Sequence, residues 1–564
     1  MVAKNMNDEA DQVVDVLAIG AGPGGLVAAM VAQVNGLEPL VIEKTAFVGG
    51  TSTKSFGALW FADNPRQHAV GAQDSTESAR EYLKAVTDAS GSATPERQKA
   101  YLEAGPRMLS FLEKQGLEFF IDHYPDYYPE ATGGALDGRM LNSPLFDARR
   151  LGQAQGLVDP PAPLPMGLVV ESLADMKKMA LAGTSAKMAR AAVGVVARSY
   201  WLKARGVKPR TLGSAYVCQL LFAARKLDVP IELQTEMTDL VVEDGRVVGA
   251  IVRSGATTRR IRARHGVLLD TGGFARDIGL REKFGPHPAS TDWTLTAAGD
   301  TGDGYRATAA LNAATDNLDE AYWLPLLVGA DGKPQMFLAE RHLPHSIIVD
   351  SSGSRFGNEA SNYMEFGRAM YERQRTVPAV PAWLIVDSRH RRSYSLGTAL
   401  PMTEPRKWLR SGHLKKAGSL RELAIKCGID PAGLEAQVES FNEAARLGED
   451  PQFHRGQSAY DRVYGDARMR PNPCLGTLEK GPFYAAQVIP GDLGMAGGVR
   501  TDEVGAVLSE DGTAIPGLYA CGTVAASAMG RVYAGGGISL GQTSVFGFLA
   551  AEHMTSRLGT AHTA

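Results

Sequence analysis

Residues 529–541, Met-Gly-Arg-Val-Tyr-Ala-Gly-Gly-Gly-Ile-Ser-Leu-Gly, set five glycines around one tyrosine, Tyr533, just ahead of an apolar run that reads as a helix. Backbone N–H groups at Gly535, Gly536 and Gly537 have no side chain beside them to keep a ligand away, and a helix beginning there favours negative charge at its start. An anion or a polarised oxygen suits such a turn. A plain helix cap with a flexible loop has the same composition. Two other stretches bring tyrosines into question. His123–Gly134, HYPDYYPEATGG, packs three tyrosines, two prolines and two glycines into a dozen positions and reads as an ordered loop, where tyrosines are usually packing groups. Ser354–Phe366, SRFGNEASNYMEF, carries Tyr363. A phenol with its ordinary pKa of about 10 is mostly protonated at neutral pH, so it removes a proton only with a neighbour that stabilises its phenolate or relays the proton.

The second chemical signal lies at the other end of the chain. An apolar run of strand type, 13–19, leads into Gly20-Ala-Gly22-Pro23-Gly24-Gly25 and then an alanine-rich helical segment, Leu26–Val34. A second apolar run, Pro39–Ile42, ends at Glu43, followed by Lys44. Strand, glycine turn, helix and a downstream acid form the dinucleotide fingerprint. Gly20 makes the tight turn, Gly22 admits the pyrophosphate, Gly25 permits close helix–strand packing, and Glu43 stands where an acid meets the ribose.

The whole chain must supply the scaffold for these pieces. Its 564 residues, 44% hydrophobic and 21% charged, are enough for two or more domains. A net charge of -3 gives no reason to expect nucleic acid as a partner. Cys218, Cys427, Cys474 and Cys521 are scattered and form no CxxC pair, which argues against a metal, attached haem or a disulfide framework. The N-terminal MVAKNMNDEADQ is unlike a secretory signal and no long uncharged run is present, so a cytoplasmic protein is expected. Local charge is uneven: from Met176 to Lys226 there is no Asp or Glu, against eleven Lys or Arg. That segment suits interfacial helices docking on the inner face of the cell membrane through an apolar face containing Trp201, or equally a solvated basic face over the core.

Lys44–Gly57, KTAFVGGTSTKSFG, resembles the segment of the succinate dehydrogenase/fumarate reductase flavoproteins in which a Gly-Gly-Thr/Ser turn holds the diphosphate and flavin of FAD. The resemblance implies that Gly50, Thr51, Ser52, Ser55, Gly57 and Ala58 contact the cofactor; the alternative is a Gly/Ser surface loop. The segment has no histidine, so non-covalent FAD is expected. Val267–Phe274, VLLDTGGF, is similar to the superfamily's second glycine turn, with Asp270 in place of the usual small residue. Gly299–Gly304 precedes a further alanine-rich helix, expected over Tyr305–Ala314. Pro516–Thr523, with Gly522, resembles the strand and turn that bring the chain back to the flavin. The implied fold is α/β: a discontinuous Rossmann-like FAD-binding domain, 1–322 and 488–564, with an inserted α+β substrate domain, 323–487.

Three places then resemble one branch, the flavin-dependent 3-ketosteroid Δ1-dehydrogenases: the 124–128 tyrosine loop, Asn358–Tyr363, and Tyr533-Ala-Gly-Gly-Gly537. Fumarate reductases carry a dicarboxylate-binding arginine four residues after the glutamate of Arg-Phe-x-Asn-Glu. Here Tyr363 stands in that place, and a phenol cannot form the bidentate clamp of a guanidinium. The resemblance implies that the Tyr533 hydroxyl and the Gly537 N–H donate to the 3-oxo group of a steroid. Tyr363 would take the proton from carbon 2, with Tyr127 supporting it and Tyr124 behind, and FAD would accept hydride from carbon 1. The helix from Ile538, with Leu540 near its start and Gly522 opposite, would direct its N-terminal field at the flavin. No second nucleotide site is evident, so a quinone or another external acceptor is the expected oxidant. Two other functions remain open: a desaturase or ene-reductase for another ring ketone, including the Δ4-(5α) type, and a membrane-docked flavoprotein electron-transfer subunit.

Overall fold

The computed structural model describes residues 12–71, 74–159 and 167–556. The N-terminal stretch read as unlike a secretory signal lies outside them apart from Gln12, as does 557–564 at the end of the returning segment. Strand β1 (Gln12–Ile19), helix α1 (Pro23–Val34) and strand β2 (Pro39–Ile42) follow one another as the fingerprint requires. α1 begins at Pro23 rather than Leu26, because a proline fits the first helical position, where its missing N–H has no partner to lose.

β1 is the middle of a sheet built from both ends of the chain. It pairs in parallel with β2 on one side and with Thr257–Leu269 on the other, and Ala514–Ala520 continues the parallel order beyond. The apolar VLAI of β1 and VLL of Thr257–Leu269 are buried on both faces, as parallel strands covered by helices must be. On the side away from β1, the charged first half of Thr257–Leu269 pairs antiparallel with Arg246–Ser254, which pairs with Thr235–Glu243 across a tight turn at Asp244 and Gly245. One long strand thus serves two layers, its composition changing where its surroundings do.

α1 contains no charged residue and is buried on nearly every side, the fate of a helix that is apolar all round. It lies against the helix Ile538–Ser556, where Gly24 and Gly547 bring the two backbones together. The helix expected over Tyr305–Ala314 is Asp303–Ala309. Asn312 turns at φ +53°, and the Ala314 N–H is taken by the Leu508 carbonyl at 2.8 Å, so the returning segment claims the backbone that a longer helix would use.

A second sheet has six strands, all paired antiparallel, running from Ala321–Val328 through Phe483–Met495 to Ala382–Val386 and Ser346–Val349. Ala321–Val328, AYWLPLLV, is buried throughout, and Tyr363–Gln374 packs across it. The basic segment divides. Leu212–Lys226 is core, packed on α1 and on the Gly50–Lys54 turn, whereas Ala186–Ala204 buries Ala192, Val195, Ser199 and Leu202 and turns Val193, Tyr200 and Trp201 outwards. Trp201 is therefore not on the face packed against the core.

Candidate active site

A cavity of about 460 Å³ runs from the end of β1 to the tyrosine loop. Gly20, Gly22, Pro23, Glu43 and Lys44 line its nucleotide end. Gly50, Thr51, Ser52, Ser55, Gly57, Ala58, Gly522 and Leu540 follow, and Tyr127, Tyr363, Tyr533 and Gly537 lie on its wall as well. Gly24, Gly25 and Ile538 lie behind that wall. Gly24 faces Cys521 and the Thr543 carbonyl, Gly25 packs on Gly20 and Ala18, and Ile538 is fully buried.

Local structure explains these placements. Gly20 adopts φ +108°, which an L side chain rarely adopts, and holds the turn against the Asp270 backbone. Glu43 is fixed by the N–H groups of Ala21 (3.1 Å) and Thr45 (2.8 Å), one to each carboxylate oxygen, leaving lone pairs for ribose hydroxyls. Lys44 reaches Thr301 at 2.6 Å and pairs with Asp303, at the start of the Asp303–Ala309 helix. Ser55 accepts from Gly57 N–H at 3.0 Å, and its carbonyl accepts from Gly213 N–H at 3.1 Å, tying the Gly50–Lys54 turn to the helix behind it.

At the other end three phenols face one another. The ring centroids of Tyr127, Tyr363 and Tyr533 are 5.4–5.6 Å apart pairwise, and Tyr322 lies 5.3 Å from Tyr533. All four are buried. Tyr363 opens its helix just after Asn362, whose side chain caps Glu365 N–H at 3.0 Å. The Tyr128 hydroxyl donates to Glu365 at 2.6 Å and accepts from Asn362 at 3.0 Å, so the tyrosine loop is fastened to the first turn of that helix. Tyr127 N–H donates to the Ala534 carbonyl at 3.0 Å, fastening the same loop to the glycine-rich stretch. The loop's own shape rests on buried Asp126, which accepts from Trp60 Nε1 (2.6 Å), Ala135 N–H (2.9 Å) and Arg139 (2.8 Å).

Burial first, and then the neighbouring Tyr533, hold the Tyr363 phenol well above its ordinary pKa, while the Tyr127 hydroxyl acts in the opposite sense. Tyr533 touches Ser539 at 3.1 Å. Gly537, at φ +105°, presses against Ala58, where a Cβ would stand 2.6 Å from the carbonyl carbon. Its N–H meets no acceptor among the described residues. Three phenols and a backbone N–H thus share one wall of the cavity.

The model of the FAD binding domain family matches residues 15–540, nearly the whole chain. The chain is 41% identical to a 3-oxosteroid 1-dehydrogenase of Mycobacterium tuberculosis, over 97% of this chain and 99% of that one. It belongs to the 3-oxosteroid 1-dehydrogenase family of FAD-binding proteins. A crystal structure of 3-ketosteroid Δ1-dehydrogenase from Sterolibacterium denitrificans in complex with 1,4-androstadiene-3,17-dione superposes with a TM-score of 0.91 at 37% identity, covering 97% of this chain and 100% of that one. The 4-oxocyclohex-2-ene-1-carboxylate 5-dehydrogenase of Sinomonas cyclohexanicum is 34% identical over 97% of this chain and 94% of that one.

The residues present fit FAD. The glycine turn at the start of α1 offers close backbone approach, Glu43 offers acceptors for ribose, and the cavity continues past Gly50–Ala58 to the start of the Ile538–Ser556 helix. No cluster of metal-binding side chains occurs among the described residues. Sequence reasoning missed Tyr322, Ser539, Met140 and Leu338 at the cavity, and the Trp60–Asp126–Arg139 bracket behind it. Ser539 stood inside the glycine-rich stretch and was within reach of that argument; the others carry no local sequence signal.

Proposed function

We propose that this protein is an FAD-dependent oxidoreductase that desaturates the 1,2 bond of 3-ketosteroids. The observation that carries the reading is the convergence of Tyr363, Tyr127 and Tyr533 on one cavity wall next to Gly537, continuous with the glycine-lined nucleotide end. Tyr533 and the Gly537 N–H donate to the 3-oxo oxygen. Polarising that carbonyl acidifies carbon 2, and each donor contributes about 2–4 kcal/mol where charge develops on oxygen. Tyr363 takes the carbon 2 proton onto its phenolate oxygen, with the Tyr127 hydroxyl offsetting part of the cost of ionising a buried phenol. Bound FAD, held without a covalent bond, supplies the acceptor for hydride from carbon 1. The burial of all three phenols keeps water away from the reacting carbons. Loss of flavin absorbance on anaerobic mixing with androst-4-ene-3,17-dione tests the assignment; an unchanged spectrum with several 3-ketosteroids contradicts it.

A quinone or another external acceptor reoxidises the cofactor on this reading, which the single dinucleotide fingerprint supports. A second feature supports docking at the inner face of the cell membrane. The Ala186–Ala204 helix exposes Tyr200 and Trp201, with Lys203 and Arg205 folded over their rings at 5.5 Å and 4.7 Å, the amphipathic pattern of an interfacial helix. No described helix is long and apolar enough to cross a membrane.

A further inference from the structure

Asp270 departs from the small residue expected after its strand, and its carboxyl group stands at the cavity wall against the first turn of α1. The end of Thr257–Leu269 delivers it beneath α1. There its Oδ2 accepts the Gly25 N–H at 2.8 Å, and it also faces the Gly24 N–H. Gly22, the N-cap of α1, has no side chain to cap the helix, so Asp270 supplies from another strand the oxygen that the first turn lacks. The space is made for it. A Cβ on Gly22 would collide with the Asp270 carboxylate, and one on Gly24 would collide with Cys521 Sγ and stand 3.3 Å from Asp270 Cγ. Asp270 also lines the cavity.

Its neighbours do not neutralise it. Glu43, from the end of β2, adds negative charge, and the Cys521 thiol lies against it from the turn after Ala514–Ala520. α1 has no titratable residue, and the Ile538–Ser556 helix keeps its own, Glu552 and His553, in its last turn while presenting Thr543 here. Burial, followed by Glu43, lifts the carboxyl from its ordinary range to about 8, against the opposing pull of the α1 amides.

We infer that Asp270 and the FAD diphosphate compete for the N-terminal amides of α1, so that the protein binds FAD only with Asp270 protonated. A neutral carboxyl can remain beside a diphosphate as a hydrogen-bond donor. An ionised one places like charge against it in a buried site while also holding the amides the phosphates require. The sign follows from linkage: if only the protonated form binds, the FAD dissociation constant is flat below the carboxyl's pKa and rises about tenfold per pH unit above it.

The inference rests on FAD occupying the glycine-lined end, and that reading fails separately if purified protein carries no FAD at all at about pH 6.5. The test uses the holoenzyme. Serial dilution between about pH 6.5 and about pH 9.5, read by the fluorescence of released flavin, gives the dissociation constant, with circular dichroism confirming that the protein remains folded. For the wild type, the expected result is a flat profile that turns upward near the carboxyl's pKa. For Asp270→Asn, whose amide mimics the neutral acid, it is a flat profile throughout at the wild-type low-pH affinity. Asp270→Ala decides the same question by slope alone if the amide variant does not accumulate as folded protein. A flat wild-type profile, a slope that survives in the variants, or folded Asp270→Asn unable to hold FAD at low pH would each overturn the inference.

Discussion

The rings of Tyr363 and Tyr127 meet nearly edge-on, with centroids 5.5 Å apart at an angle of 77°, although one opens a helix packed on the six-stranded sheet and the other sits in a loop held by Asp126. The contact brings a second hydroxyl to the phenol proposed as base, in surroundings where burial opposes ionisation.

Replacing Tyr363 with Phe removes the proposed proton acceptor while keeping the ring that packs against Tyr127 and Tyr533. The rate of flavin reduction by a 3-ketosteroid should fall about a hundredfold to ten-thousandfold with FAD content unchanged. Because a phenol acts as a base only when ionised, and this one is held above its ordinary pKa, the wild-type rate with FAD in excess should climb through neutral and mildly alkaline pH. Stopped-flow measurement across that range checks both statements. A pH-independent rate, or near-normal turnover in the variant, would place the base elsewhere.

Tyr533→Phe removes one of the two proposed donors to the 3-oxo group. The expected loss is about a hundredfold to a thousandfold in kcat, since the donor acts on charge that develops during reaction. Steady-state kinetics separate this from a binding defect: a rise confined to KM would mean that Tyr533 only holds the substrate.

Asp126 touches no part of the proposed substrate position, yet three donors converge on it behind the tyrosine loop. Asp126→Ala leaves Arg139 with Asp74 as its carboxylate partner beside the Ser78 hydroxyl, strands the buried Trp60 and Ala135 donors, and should cost about 2–4 kcal/mol of stability. Urea unfolding of the holoenzyme measures it. A change below about 1 kcal/mol would show that the loop is held without the Asp126 bracket.

The Ala186–Ala204 helix should bind vesicles containing anionic lipid at low salt and release them at high salt, because each surface cation contributes about 1 kcal/mol that salt screens. Trp201→Ala combined with Lys203→Ser and Arg205→Ser should abolish flotation without altering turnover of a soluble steroid. Flotation unaffected by those changes would move the contact to another surface.

The fold around the first glycine turn was largely legible because it is set by the backbone. The glycines of the first turn, the apolar runs beside them and the distance to Glu43 follow from local sterics, which spacing records directly. Even there, Pro23 and Asn312 moved helix ends through single backbone positions, which periodicity does not register. The tyrosine site was less open to such reasoning. Tyr127, Tyr363 and Tyr533 come from three elements, and only the family resemblance linked them; their meeting depends on Tyr128 reaching Glu365 and on Ala534 receiving Tyr127 N–H. Tyr322 lies in a wholly apolar strand and looks like core until Tyr533 is seen beside it. Asp270 was visible as a departure, but its meaning required the position of α1 above it.

The central claim concerns which bond is desaturated, and a substrate with two candidate bonds tests it most directly. Incubating the holoenzyme with 5α-androstane-3,17-dione and an artificial electron acceptor, then locating the new double bond by NMR, distinguishes the 1,2 position from the 4,5 position. The arrangement of Tyr363 with Tyr533 and Gly537 predicts a 1,2 double bond as the first product. A 4,5 double bond, or no desaturation of this or any other 3-ketosteroid, would contradict it.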